Sequence, residues 1–166
     1  AHGLPFEHAA GRWLRSLALR GEALNVRGYV RLAPLQIGYA ATIANLDLNG
    51  HRGAPYTRGA AGELMGHAHG AQIQVNAHAM ALWFPDTFSE RWLLDNCQGL
   101  VQAWFGHDYF GIRGRNLRVE LDGTRAAGGF AISRPPEEYE QLLSLLINID
   151  QTSVQRAKSY VPKKLP

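Results

Sequence analysis

A pattern of strand, turn, strand, proline and helix occurs twice in this chain of 166 residues, and it constrains the fold more than any other feature. In the first copy, two short alternating segments within residues 72–84 precede Pro85. In the second copy, two such segments within residues 116–132, with the hairpin signal Asp122-Gly123 between them, precede Pro136. A longer stretch with apolar residues three and four positions apart follows each proline, and this spacing is typical of a helix. The repeat therefore predicts two sheet-to-helix units.

The segment before the first copy contains one helix pattern, two strand patterns and a region without a pattern. Apolar residues at helical spacing predict a helix over Phe6 to Leu19. Period-two alternation predicts strands over Leu24 to Leu32 and Leu35 to Leu48, and the second strand ends at the turn pair Asn49-Gly50. The segment from His51 to Gly70 is rich in glycine, alanine and histidine, so we expect a long loop there.

Helix-start signals follow each proline of the repeat. Thr87 and Glu90 are spaced as a capping box, and apolar residues from Phe88 to Phe105 form one face of a predicted helix. A second helix is predicted from Pro136 onward, with aliphatic residues as far as Ile147 facing inward. The predicted fold class is therefore α+β, an antiparallel sheet covered by helices, in the order α-β-β-loop-β-β-α-β-β-α.

Length and composition predict one mildly basic domain. Residues 1–160 are expected to form this α+β domain, and residues 161–166 a tail or linker to a further C-terminal module. The formal net charge is +3. Cys97 is the single cysteine, which excludes a disulfide framework and agrees with a reducing, cytoplasmic location. No apolar run approaches the roughly 20 residues that a membrane-spanning helix needs.

Three histidines are the nearest approach to a metal-binding cluster. His67 and His69 point the same way from an extended chain and could share an ion such as zinc, with His78 a few residues further on. The alternative interpretation is a set of solvated loop histidines. The sequence contains no nucleophile motif and no dinucleotide fingerprint, so we predict no cofactor and no catalytic residue.

Arg113, Arg115 and Arg118 follow aromatic residues in a predicted loop. Their guanidinium groups are suited to phosphate or carboxylate, and a basic run beside aromatic residues is typical of single-strand nucleic-acid binding. A solvated or partner-facing loop is the alternative. Trp83 and Phe84 end the strand before the first predicted helix, and we predict that they bind a partner, with core packing as the alternative.

Residues 117–123, residues 130–137 and the leucine-rich segment after them resemble the N-terminal domain of type III secretion cytoplasmic-ring, or sorting-platform, proteins. The order of elements also resembles class I type III secretion chaperones. The resemblance implies a non-enzymatic protein–protein interaction and assembly domain, whose partners are proteins of a bacterial secretion complex or a second copy of the chain. Two alternatives stay open at this point, a nucleic-acid-binding domain that uses the arginines and a metal-dependent enzyme that uses the histidines.

Overall fold

The structure is a computed structural model that describes residues 18–33, 35–50, 55–85, 88–105, 110–134 and 142–151. In these ranges the chain forms one eight-stranded antiparallel sheet, and each strand pairs with its neighbours along the chain. The strands are β1 (Arg20–Leu32), β2 (Leu35–Leu48), β3 (Tyr56–His67), β4 (Gly70–Trp83), β5 (Trp92–Phe105), β6 (Phe110–Leu121), β7 (Thr124–Arg134) and β8 (Leu142–Gln151).

The predicted α+β fold is wrong, because the described residues contain strands and no helix. The stretch predicted as the first covering helix is strand β5. Large apolar side chains occur on both of its faces: Leu94 and Val101 pack in the core on one, and Leu93 and Leu100 lie on the other. The resulting pairs of adjacent apolar residues imitate the spacing of an amphipathic helix.

The same error affects β8, where the second helix was predicted. Leu145 and Leu146 are neighbours in β8, and their side chains point to opposite faces of the sheet. Most of the helix predicted over Phe6 to Leu19, the predicted helix start at Pro136 and the predicted tail over 161–166 lie outside the described residues.

The long loop predicted between His51 and Gly70 is also wrong, because strand β3 occupies most of it. The sequence of this strand shows no apolar–polar alternation, because Gly62 and Gly66 occupy positions on the inner face where other strands have larger apolar residues. The Tyr39 ring from β2 occupies the space over Gly66. The predictions that hold are the first two strands, the two strands within residues 116–132, which belong to β6 and β7, and the turn between them at Asp122-Gly123.

Left-handed residues within the strands keep the two faces of the sheet distinct. Asn25, Asn45 and Asn116 have φ values of 50°, 53° and 53°, and each lies where its strand shifts register against a neighbour. Ala79, with a φ value of 56°, lies where β4 shifts register against β3, whereas the register of β4 against β5 is continuous. A β-bulge adds one residue, so side chains three positions apart return to the same face. The two short strands and the turn predicted over 72–84 are a single strand, because β4 pairs with β5 in one register on both sides of Ala79.

One register row crosses seven strands and consists of apolar residues throughout. We call the side of the sheet that carries it the apolar face, and the other side the polar face. The row is Ala41, Leu64, Ile73, Val101, Gly114, Phe130 and Leu145.

Candidate functional site: an open apolar face

The centre of the apolar face is a packed core. Val75, Ala77, Met80, Leu94 and Cys97 are all at most 7% exposed and pack against one another across β4 and β5. Phe88 closes the core at one end: it is 1% exposed, and its ring centroid lies 4.6 Å from that of Trp92.

Both margins of the same face are open. On β1 and β2, the directly paired residues Val30 and Ile37 are 61% and 53% exposed. On β8, Leu145, Ile147 and Ile149 are 45%, 39% and 41% exposed. A contiguous apolar surface of this kind marks a site for a ligand, a membrane or a partner, whereas single exposed apolar residues are ordinary.

Burial raises the pKa of the Cys97 thiol from its ordinary 9.0 to about 11. In the unfolded chain the thiol ionises at the lower pH, so between pH 9 and pH 11 the unfolded state binds fewer protons. The free energy of unfolding should therefore be highest below pH 9 and fall by up to about 3 kcal/mol toward pH 11. Urea denaturation across this range is the measurement. The variant Cys97→Ala should lack the part of this decrease that the thiol causes. An identical dependence of the unfolding free energy on pH in the variant and the unsubstituted chain would contradict the prediction.

The predicted partner-binding aromatics lie at the end of β4. Trp83 belongs to the polar face, where its ring is 5.4 Å from that of Tyr56 and Arg91 lies 6.0 Å from its centroid. Phe84 follows the strand, and its ring is 6.1 Å from the rings of both Phe88 and Trp92. The structure therefore places Phe84 against the closing end of the core, on a different surface from the open margins.

The three predicted arginines lie on strand β6, so the loop expected for them is wrong. All three belong to the polar face, where Arg113 pairs with Gln102, Arg115 with Leu100, and Arg118 with Gln98. Arg113 and Arg115 meet at one acceptor, whereas the bulge at Asn116 separates Arg118 from them.

The histidines are divided between two places. His67 and His69 lie at the turn between β3 and β4, where the His69 backbone N–H donates to Nδ1 of His67 at 3.2 Å. His78 lies near the other end of β4 and pairs with Asn96. Within the part of the chain that the structure describes, no three histidine, cysteine or acidic side chains are grouped as metal ligands would be.

A protein-family model described as YhdP protein matches residues 1–166. This chain is a member of the YhdP family. No curated protein and no solved structure matches it. Among the described residues of this YhdP-family chain, no helix is long and apolar enough to cross a membrane.

The predicted resemblance to type III secretion proteins is therefore wrong. It depended on a hairpin followed by a leucine-rich helix, and residues 142–151 of that segment form strand β8. Sequence reasoning also missed the open apolar face. The alternation of β1 and β2 revealed its apolar positions, but we assigned predicted helices to cover them.

Proposed function

We propose that this chain is a non-enzymatic binding domain whose apolar face holds the acyl chain of a lipid. The observation that supports the proposal is the apolar register row, which continues from the packed core to exposed side chains at β8. The exposed positions at both margins are mainly aliphatic, so a ligand that covers them would bury apolar surface and form few hydrogen bonds.

The dimensions of the face suit an extended ligand. Six strand-to-strand spacings of about 4.8 Å give the row a length of about 29 Å along the sheet. One leaflet of a bilayer, which is the depth of an acyl chain, is about 15 Å thick. Each methylene that leaves water for such a surface contributes about 0.8 kcal/mol, so a chain of many methylenes can bind without any specific polar contact.

Two neighbouring residues of β8 allow a matched test. Leu145 on the apolar face is 45% exposed and Leu146 on the polar face is 65% exposed. Leu145→Glu should weaken the binding of a fluorescent long-chain fatty acid by about 10-fold or more, because its carboxylate would have to lose water against the acyl chain. Leu146→Glu introduces the same charge on the same strand and should change the affinity by less than about 2-fold.

A second pair extends the test to the opposite margin. Ile37→Glu on the apolar face should act like Leu145→Glu, and Gln36→Glu on the polar face should act like Leu146→Glu. Equal affinity of all four variants and the unsubstituted chain, or the absence of fatty-acid binding, would show that the apolar face does not hold acyl chains.

The exposed edges of the sheet favour a second candidate function, assembly with proteins. Strand β1 has 13 residues, pairs only with β2 among the described residues and is exposed along its whole length. Such an edge is a template for another strand. We expect Val30→Pro or Arg31→Pro to reduce self-association in sedimentation velocity, because one of these consecutive N–H groups points away from β2. Unchanged sedimentation of both variants would contradict assembly through β1.

A further inference from the structure

We infer that the polar face carries a phosphate-binding site formed by Arg113 and Arg115. Both guanidinium groups meet at one neutral acceptor: Arg113 Nε donates to Oε1 of Gln102 at 3.0 Å, and Arg115 Nη2 donates to the same atom at 2.7 Å. Two positive charges are thus held side by side on an amide oxygen that carries no compensating charge.

Three carboxylates of the polar face have partners other than Arg113 and Arg115. Glu63 accepts a hydrogen bond from Thr42 at 3.1 Å, and Glu120 accepts one from Asn96 at 3.3 Å. Asp47 pairs with Arg58 at 2.7 Å, and the hydrogen bond from that guanidinium lowers the pKa of the Asp47 carboxyl. Among the described residues, no carboxylate pairs with Arg113 or Arg115.

The surroundings hold both arginines in place. Gln102 Nε2 donates to Oε1 of Gln72 at 3.3 Å, which fixes the orientation of the amide whose oxygen receives the guanidinium groups. The guanidinium of Arg113 lies 5.6 Å from the centroid of the Trp104 ring, which restricts this side chain further. Gln72, Gln102 and Trp104 are therefore positioning residues.

The arginines also border two depressions of the surface. One has a volume of about 520 Å³ and is lined in part by His67, Gln72, Trp104 and Arg113. The other has a volume of about 330 Å³ and is lined in part by Arg113, Arg115 and Ser144. Arg113 lines both, so an anion in either depression would reach the remaining N–H donors of its guanidinium.

Charge decides which anion is favoured. A phosphate monoester carries a charge of about −1.5 to −2 at pH 7 and presents three strong acceptor oxygens, whereas a carboxylate carries a single charge. Two guanidinium groups match the dianion in charge and in bidentate geometry. The site lies across the sheet from the apolar face, so it does not rest on acyl-chain binding there.

The variant Gln102→Glu tests the site sharply. Its carboxylate would accept the hydrogen bonds of both arginines and occupy the place of the anion, and the Gln72 amide would turn its N–H donors toward that carboxylate in place of the lost bond. The fold should therefore be retained while the affinity for phosphate falls by about 10-fold or more. Gln98→Glu is the matched control, because it adds the same charge on the same face of β5, opposite Arg118. Gln98→Glu should change the affinity by less than about 2-fold.

Calorimetric titrations of the intact chain with inorganic phosphate and with glycerol 3-phosphate are the measurements. Equal affinities would identify free phosphate as a sufficient ligand, and tighter binding of glycerol 3-phosphate would identify a lipid headgroup as the source. Dissociation constants above roughly 10 mM for both ligands would overturn the inference. Equal losses of phosphate affinity in Gln102→Glu and Gln98→Glu would also overturn it. So would a third titration in which an oligonucleotide binds and neither phosphate does, because both results would show only a general attraction to a basic surface.

Discussion

Replacing Phe88 with alanine is expected to lower the free energy of unfolding by about 3–5 kcal/mol. The ring is 1% exposed, although the residue lies in the connection between β4 and β5. It packs 4.6 Å from the Trp92 ring and 6.1 Å from the Phe84 ring, measured between centroids. Its backbone N–H also donates to the Phe84 carbonyl oxygen at 2.8 Å, which holds the connection against the core. Urea denaturation monitored by tryptophan fluorescence is the measurement.

Glu90 supplies the control for Phe88. In the predicted helix, Glu90 would complete a capping box, and its loss would cost about 1 kcal/mol. In the structure it is an exposed residue of a bend before β5, so Glu90→Ala should change stability by less than about 0.5 kcal/mol. A loss of about 1 kcal/mol in Glu90→Ala would favour the helix over the strand, and a small effect of Phe88→Ala would show that its ring does not close the core.

Replacing Gly62 with alanine is expected to destabilise the sheet by about 3 kcal/mol. Gly62 lies on the apolar face of β3, paired with Ile43 of β2 and Val75 of β4. A Cβ atom there would overlap the backbone carbonyl oxygen of Gln74, which cannot move without separating β3 from β4. The φ value of 157° is also one that side chains rarely adopt. Because two strands flank β3, the sheet cannot relieve this overlap by releasing an edge.

Gly28 is the matched control for Gly62. It is also a glycine on the apolar face of a strand, but the nearest atom to a Cβ there is the Gly38 carbonyl oxygen at 3.9 Å. Gly28→Ala should be neutral or should stabilise by up to about 1 kcal/mol, because alanine restricts the unfolded chain. Similar urea midpoints for the two variants would show that β3 and β4 are not packed as closely as described.

The elements that sequence reasoning found are those in which one face is apolar and the other polar. β1 and β2 alternate in this way, and the Asp122-Gly123 turn between β6 and β7 has the residues that a tight hairpin favours. The elements it missed lack that contrast. β5 and β8 have large apolar residues on both faces, and β3 has glycine and alanine on its inner face. Periodicity alone does not separate a strand that is apolar on both faces, such as β5 or β8, from a helix.

Part of the candidate sites was accessible from the residue types. The guanidinium groups of Arg113 and Arg115 suggested an anion site, and their interval of two positions in a strand places both on one face. No sequence signal indicated Gln102, which lies eleven positions before Arg113 and meets it only through the pairing of β5 with β6. Asparagine is a weaker signal for the bulges, and the predictions did not use it. Asn25, Asn45 and Asn116 adopt a left-handed backbone there, which asparagine tolerates better than most residues.

By itself, the sequence determined the local alternation of β1 and β2, the hairpin at Asp122-Gly123, the presence of basic side chains near residue 115 and a single cysteine without a disulfide partner. The tertiary structure alone decided that β3, β5 and β8 are strands and that apolar residues from seven strands form one row. The physical reason is that strand pairing is made between distant segments. Register determines which side chains share a face. A bulge that keeps apolar residues on one face exists only in the pairing of its strand with a neighbouring strand.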